Sequence, residues 1–192
     1  DVAPSTLSYP SPNVFTKGQT ITALSPSISG SVISYSIAPS LPSGLSFDTT
    51  SGVISGTPNA VSSTAIYTVT AFNSGGSTSF GVSITVNDVA PSTLSYPSPN
   101  VFTVGSSIAN LVPTFTGNVT SFSITPSLPS GLSFDTTTGI ISGTPTTVTP
   151  TATYTVTETN SGGSLSFGIV ITVNDVAPST LSYPSPNVFT KG

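Results

Sequence analysis

Apolar and polar residues alternate along much of this chain. Phe80, Val82, Ile84 and Val86 are separated by Gly81, Ser83 and Thr85, and Phe167, Ile169, Ile171 and Val173 keep the same rhythm. A period of two puts every second side chain on one face, so these stretches predict strands with one buried and one wet face. Tyr67, Val69 and Ala71 alternate with Thr68 and Thr70, and Ile33, Tyr35 and Ile37 with Ser34 and Ser36. No window holds apolar residues at helical spacing over three turns, and Pro, Gly, Ser and Thr interrupt throughout. Between the Tyr67 and Phe80 strands, Asn73-Ser74-Gly75-Gly76 reads as a hairpin turn. In the first part of the chain the pattern places strands near Leu7 to Tyr9 continuing through Val14 to Thr16, then Thr20 to Leu24, Val32 to Ile37, Leu45 to Phe47, Val53 to Ser55, Ala65 to Phe72 and Thr78 to Val86.

The pattern repeats. DVAPSTLSYPSPNVFT begins at Asp1, Asp88 and Asp175, a spacing of 87 residues, and residues 1–87 align with 88–174 without a gap. About seven positions in ten are identical, and a unit of this length is large enough for a core of its own, unlike a solenoid repeat. The chain therefore divides into 1–87, 88–174 and a fragment, 175–192, that copies the first 18 residues of the chain. About seven short strands per unit, separated by turn signals, predict an all-β fold of tandem immunoglobulin-like sandwiches. Tyr67 and Tyr154 each stand two residues before an apolar residue, where antibody domains have a tyrosine before the cysteine of the sixth strand.

The most specific stretch is LPSGLSFDTTSGVISGTP from Leu41 to Pro58, matched by LPSGLSFDTTTGIISGTP from Leu128 to Pro145, with YTVTAFNSGG and YTVTETNSGG following. It resembles the immunoglobulin-like repeat family of bacterial surface proteins, related to dystroglycan-type cadherin-like modules. The resemblance covers both full units. It implies a secreted or surface-exposed protein with such modules in tandem, serving as stalk or adhesive region, and it implies no catalytic residue.

Charge is scarce: the chain has two basic and six acidic residues and no His or Cys. Two lysines, Lys17 and Lys191, cannot form a phosphate-neutralising stripe, so nucleic acid is not an expected partner. No run of 18 apolar residues offers a membrane span. Without His or Cys, and with acids so sparse, no acid–base pair or activated nucleophile can be assembled, and no catalytic residue is expected. For the same reason nothing of ordinary pKa titrates between about pH 5 and 8.

Calcium is the metal to consider, because the cadherin-like relatives bind it at domain junctions. The repeated acids are Asp48 and Asp135, with Asp88 and Asp175 at the starts of units. A calcium site needs six to eight oxygens and usually several carboxylates, whereas Asp48 already has a role in its turn, so the expectation is no cofactor, with these four acids as weak calcium candidates. Tyr9, Tyr96, Phe15 and Phe102 could stack on a sugar but suit core packing better, and Asn118-Val119-Thr120 is a glycosylation sequon absent from the first unit, read as a chance match.

The expected function is a structural spacer or filament-forming segment of a large extracellular or cell-surface protein, with an adhesin module that binds a host protein or glycan through its loops as the alternative. Residues 175–192 read as the start of a third repeat, cut part way; the other reading is strand exchange, in which Leu181, Tyr183, Val188 and Phe189 take the places of Leu7, Tyr9, Val14 and Phe15 in a neighbouring copy.

Overall fold

A computed structural model describes residues 1–183 and 191. Among these there are only strands and connections, as the alternation requires. The first repeat contains β1 (Ser5–Ser8), β2 (Asn13–Thr16), β3 (Ser27–Ser29), β4 (Ser34–Ala38), β5 (Leu45–Phe47), β6 (Ile54–Gly56), β7 (Ser62–Asn73) and β8 (Gly76–Asn87). The second contains β9 (Thr93–Ser95), β10 (Asn100–Thr103), β11 (Thr114–Thr116), β12 (Ser121–Thr125), β13 (Leu132–Phe134), β14 (Ile141–Gly143), β15 (Thr149–Asn160) and β16 (Gly163–Asn174).

One layer of the first repeat is the sheet β2-β8-β7-β4, and the other is made by the pairs β1-β3 and β5-β6. The second repeat has the sheet β10-β16-β15-β12 with the pairs β9-β11 and β13-β14. Each of these sheets draws its strands from one repeat. Contacts nevertheless group Phe115–Thr120 and Glu158–Leu165 with Asp1–Thr93, so the compact units do not follow the repeat boundary.

The inward positions of β7 and β8 supply most of the first core: Tyr67, Val69, Ala71, Val82, Ile84 and Val86 are buried, and Leu7, Leu24 and Ile54 come from the opposite layer. Residues two apart lie on one face of a strand, and here that face meets the second layer. In the second repeat Tyr154, Val156, Ile169, Ile171 and Val173 recur at the same places.

The structure differs from the sequence reading at several places, among them β3, a strand the pattern did not place. The first strand is not continuous: β1 pairs with β3 while β2 crosses to run parallel to β8, Asn13 opposite Ile84 and Thr16 opposite Asn87. The break falls at Pro10-Ser11-Pro12, where two residues lack the donor a ladder needs. Thr20 to Leu24 is no strand. Ile21 N donates to Gly56 O and Leu24 N to Ile54 O, so three residues advance against two on the partner and a regular ladder cannot form. Ile33, read as inward, is 67% exposed and precedes β4, while Tyr35 is buried as expected.

Candidate functional site: the leading strands and the repeated acids

The seat of the leading strands is the most elaborate site in each repeat. Leu7 and Tyr9 are buried, and the Tyr9 hydroxyl donates to Gly52 O at 2.6 Å. Tyr96 makes the same bond to Gly139 O at 2.6 Å. The bond requires a glycine at position 52: its φ is +73°, and a Cβ there would lie 2.8 Å from the Tyr9 hydroxyl and 3.0 Å from the Tyr35 ring. Burial, and then the neighbouring Tyr35, raise the pKa of the Tyr9 hydroxyl. The ring also stacks on Phe80 with centroids 6.4 Å apart, and Tyr96 on Phe167 at 6.3 Å. These tyrosines are thus core groups, and Phe15 and Phe102 are half-buried beside them.

Polar bonds fix the crossing from β1 to β2. Asn13 Nδ2 donates to Pro10 O at 2.8 Å and to Ser83 O at 3.3 Å, and the Ser83 amide donates to Ser11 Oγ at 3.0 Å. Asn100, Ser98 and Val170 repeat these contacts in the second unit. Val14, one of the four positions that the trailing copy would fill, is 65% exposed, so its copy Val188 has no buried counterpart. In the trailing copy Leu181 and Tyr183 are 85% and 76% exposed, whereas Val188 and Phe189 lie outside the described residues.

A second clamp holds the other end of the leading segment. Asn73, read from sequence only as a turn residue, donates through Nδ2 to Val2 O at 2.7 Å and Ser31 O at 3.0 Å, while its Oδ1 accepts from the Gly75 amide. Asn160 donates to Val89 O and Asn118 O, both at 2.8 Å. The signal in the sequence is the recurrence of Asn-Ser-Gly-Gly, but a turn asparagine and a clamping one have the same spelling.

The repeated acids do not converge. Asp48 Oδ1 accepts from the amides of Thr50 at 2.7 Å and Ser51 at 3.2 Å, and Asp135 from Thr137 and Thr138. These amide bonds hold both carboxyls below their usual pKa. Asp88 accepts from Asn118 Nδ2 at 2.9 Å and from the Val89 amide, and the Asn118 bond is the main cause of its lowered pKa. The sequon side chain is thereby engaged. Asp175 Oδ1 accepts from the Val176 amide. Among the described residues no three acids come together in a metal-binding group, and no helix is long and apolar enough to cross a membrane.

Sequence comparison decides the family. The model of the family described as "Putative Ig domain" matches residues 3–87 and again 90–174. The chain belongs to this family. Among curated proteins this Ig-repeat chain is similar to the "Serine-rich adhesin for platelets" of Staphylococcus aureus strain MRSA252, at 35% identity over 127 residues, covering 64% of this chain and 9% of that protein. The same adhesin from strain MW2 matches at 35%, over 6% of its length. The Ig repeats described here thus span under a tenth of these relatives. Among solved structures, Drosophila OTK extracellular domains 3-5 superpose with a TM-score of 0.53 at 15% identity, covering 88% of this chain and 62% of that one. The N-terminal eight Ig domains of Down Syndrome Cell Adhesion Molecule give 0.50 at 18%, covering 89% and 24%. At such identities the likeness shows the fold alone: tandem Ig-like sandwiches.

Proposed function

We propose that this chain is a non-catalytic spacer segment of a larger extracellular protein, in which sequential sandwiches hold another activity at a distance. The observation that carries this reading is the parallel pairing of the second strand of each repeat with its last, β2 with β8 and β10 with β16. Tension applied at the two ends of a repeat pulls such strands in opposite directions along their length, so their hydrogen bonds are loaded together. The family and the similarity to an adhesin support an extracellular setting. The repeated acids are each engaged by donors of the chain itself, which supports a fold that needs no metal.

The adhesin relative also favours a second reading, that the chain itself binds a host protein or glycan. Immobilised chain exposed to platelets separates the two. Retention no greater than on an uncoated surface is the spacer result; retention that is lost when residues 17–38 of the first repeat, where more than half of the differences between the repeats fall, are replaced by their counterparts from the second establishes the binding module instead.

The partner class we propose is another copy of the same repeat. Residues 175–192 carry every side chain that seats residues 1–18, including the counterparts of Leu7, Tyr9, Ser11 and Asn13. The trailing segment of one copy can therefore replace the leading segment of another, at little cost in contacts and without closing a ring. Light scattering over a concentration series on residues 1–174, 19–192 and the full chain tests this. The chain lacking residues 1–18 should assemble head to tail; if it stays monomeric at all concentrations, strand exchange is wrong.

A further inference from the structure

Glu158 has no analogue in the first repeat. It lies on β15 between Val156 and Asn160 on the inward alternation, with 0% exposure, and neither carboxyl oxygen has a hydrogen-bond partner. The corresponding residue of the first repeat is Ala71, also fully buried and opposite Tyr35 of β4. Eighty-seven residues on, this Tyr–Ala pair has become Phe122 and Glu158. The phenol oxygen has gone and a carboxyl has come in.

An ionised carboxylate removed from water without a partner is so unfavourable that such a group stays neutral instead. No neighbour offers relief. The titratable side chains of residues 88–174 are Asp88, Tyr96, Asp135, Tyr154 and Glu158, and this stretch has no Lys, Arg or His; Lys17 pairs with Asp88, its Nζ 3.9 Å from Oδ1, and Lys191 belongs to the trailing copy. The flanking strands β12 and β16 carry no titratable group, nor do β9, β11, β13 and β14 of the other layer. Tyr154 shares the inward face of β15, and the Tyr96 hydroxyl is committed to Gly139 O. Asp135 and Asp88 are bound by donors of their own surroundings, and their charge would in any case oppose a second anion.

We propose that Glu158 is a proton-dependent stabiliser of the sandwich containing β15: uncharged it completes the interior, and ionised it loosens it. Desolvation by burial raises the pKa of this carboxyl. The sign of the linkage follows. Below the unfolded-state value, about 4.3, folded and unfolded chains are both protonated and stability is at its full value. As pH rises from there toward the raised folded value, the unfolded chain releases the proton first and stability falls. The first repeat, with Ala71, lacks the response.

The test is thermal unfolding of the full chain between pH 4.5 and 8, with Glu158→Gln and Glu158→Ala beside it, and a ¹³C NMR titration of the Glu158 carboxyl. The unfolding midpoint of the β15 sandwich should fall by at least about 4 °C across this range, and both variants should be flat. The carboxyl should titrate above the ordinary glutamate value of about 4.3, or not at all up to pH 8. A midpoint of ionisation near 4.3 would overturn the proposal, as would a flat parent chain or a variant that keeps the parent's slope. Should Glu158→Ala fail to fold, Glu158→Gln and the carboxyl titration decide the matter.

Discussion

At the residue scale a few hydroxyl and glycine positions hold each repeat's layers together. Tyr9→Phe leaves Gly52 O buried without its donor, which costs about 1–3 kcal/mol, and Tyr96→Phe should cost as much. Denaturant unfolding of the full chain measures both, and changes within error would mean that the 2.6 Å bonds do little. Gly52→Ala should be worse than the left-handed backbone alone implies, about 1–2 kcal/mol, because the methyl also meets two tyrosines. Asp48 and Asp135 act through pH. Their pKa values are lowered, so the stability they give is present above the ordinary carboxylate range and is lost as pH falls through the folded values, below about pH 4. Acid unfolding should therefore move to higher pH in Asp48→Ala and Asp135→Ala, and an unmoved transition would show that the turns do not depend on them.

At the scale of elements, strand type and hairpin position were legible because period-two alternation and Asn-Ser-Gly-Gly report directly on local geometry. β5 falls where Leu45 to Phe47 predicts it, and the long hairpin pairs Asn73 with Gly76 as the turn residues imply. What was not legible depends on partners distant in sequence. The shift of β2 to a different sheet from β1 needs β8, and the irregular Thr20 to Leu24 segment needs Gly56 and Ile54 as its partners. Glu158 was visible only as one of the sparse acids; its burial comes from the inward face of β15, where the sequence alternation would place an apolar group. Asn160 offers a check on the clamps. Asn160→Ala removes two donors to the leading segment and its neighbour loop and the acceptor for two turn amides, with a cost of about 1–3 kcal/mol, whereas Asn160→Asp should retain the turn and lose only the Nδ2 bonds. Equal losses for the two variants would show that the Nδ2 bonds alone matter, and no loss in Asn160→Asp that the turn alone does.

For the whole molecule, composition predicts indifference to metal and, Glu158 aside, to pH between about 5 and 8. Chelation should leave thermal unfolding unchanged; a rise of several degrees on adding millimolar calcium, reversed by chelator, would make the repeated acids ligands after all. As a proposed spacer, the chain would resist tension through the parallel pairs β2-β8 and β10-β16. Single-molecule extension of the full chain from its two ends tests it most directly. Two separate force peaks are expected, each releasing one repeat of 87 residues, roughly 300 Å of extended chain less the folded span. Extension without force peaks, or a single event releasing both repeats at once, would contradict it.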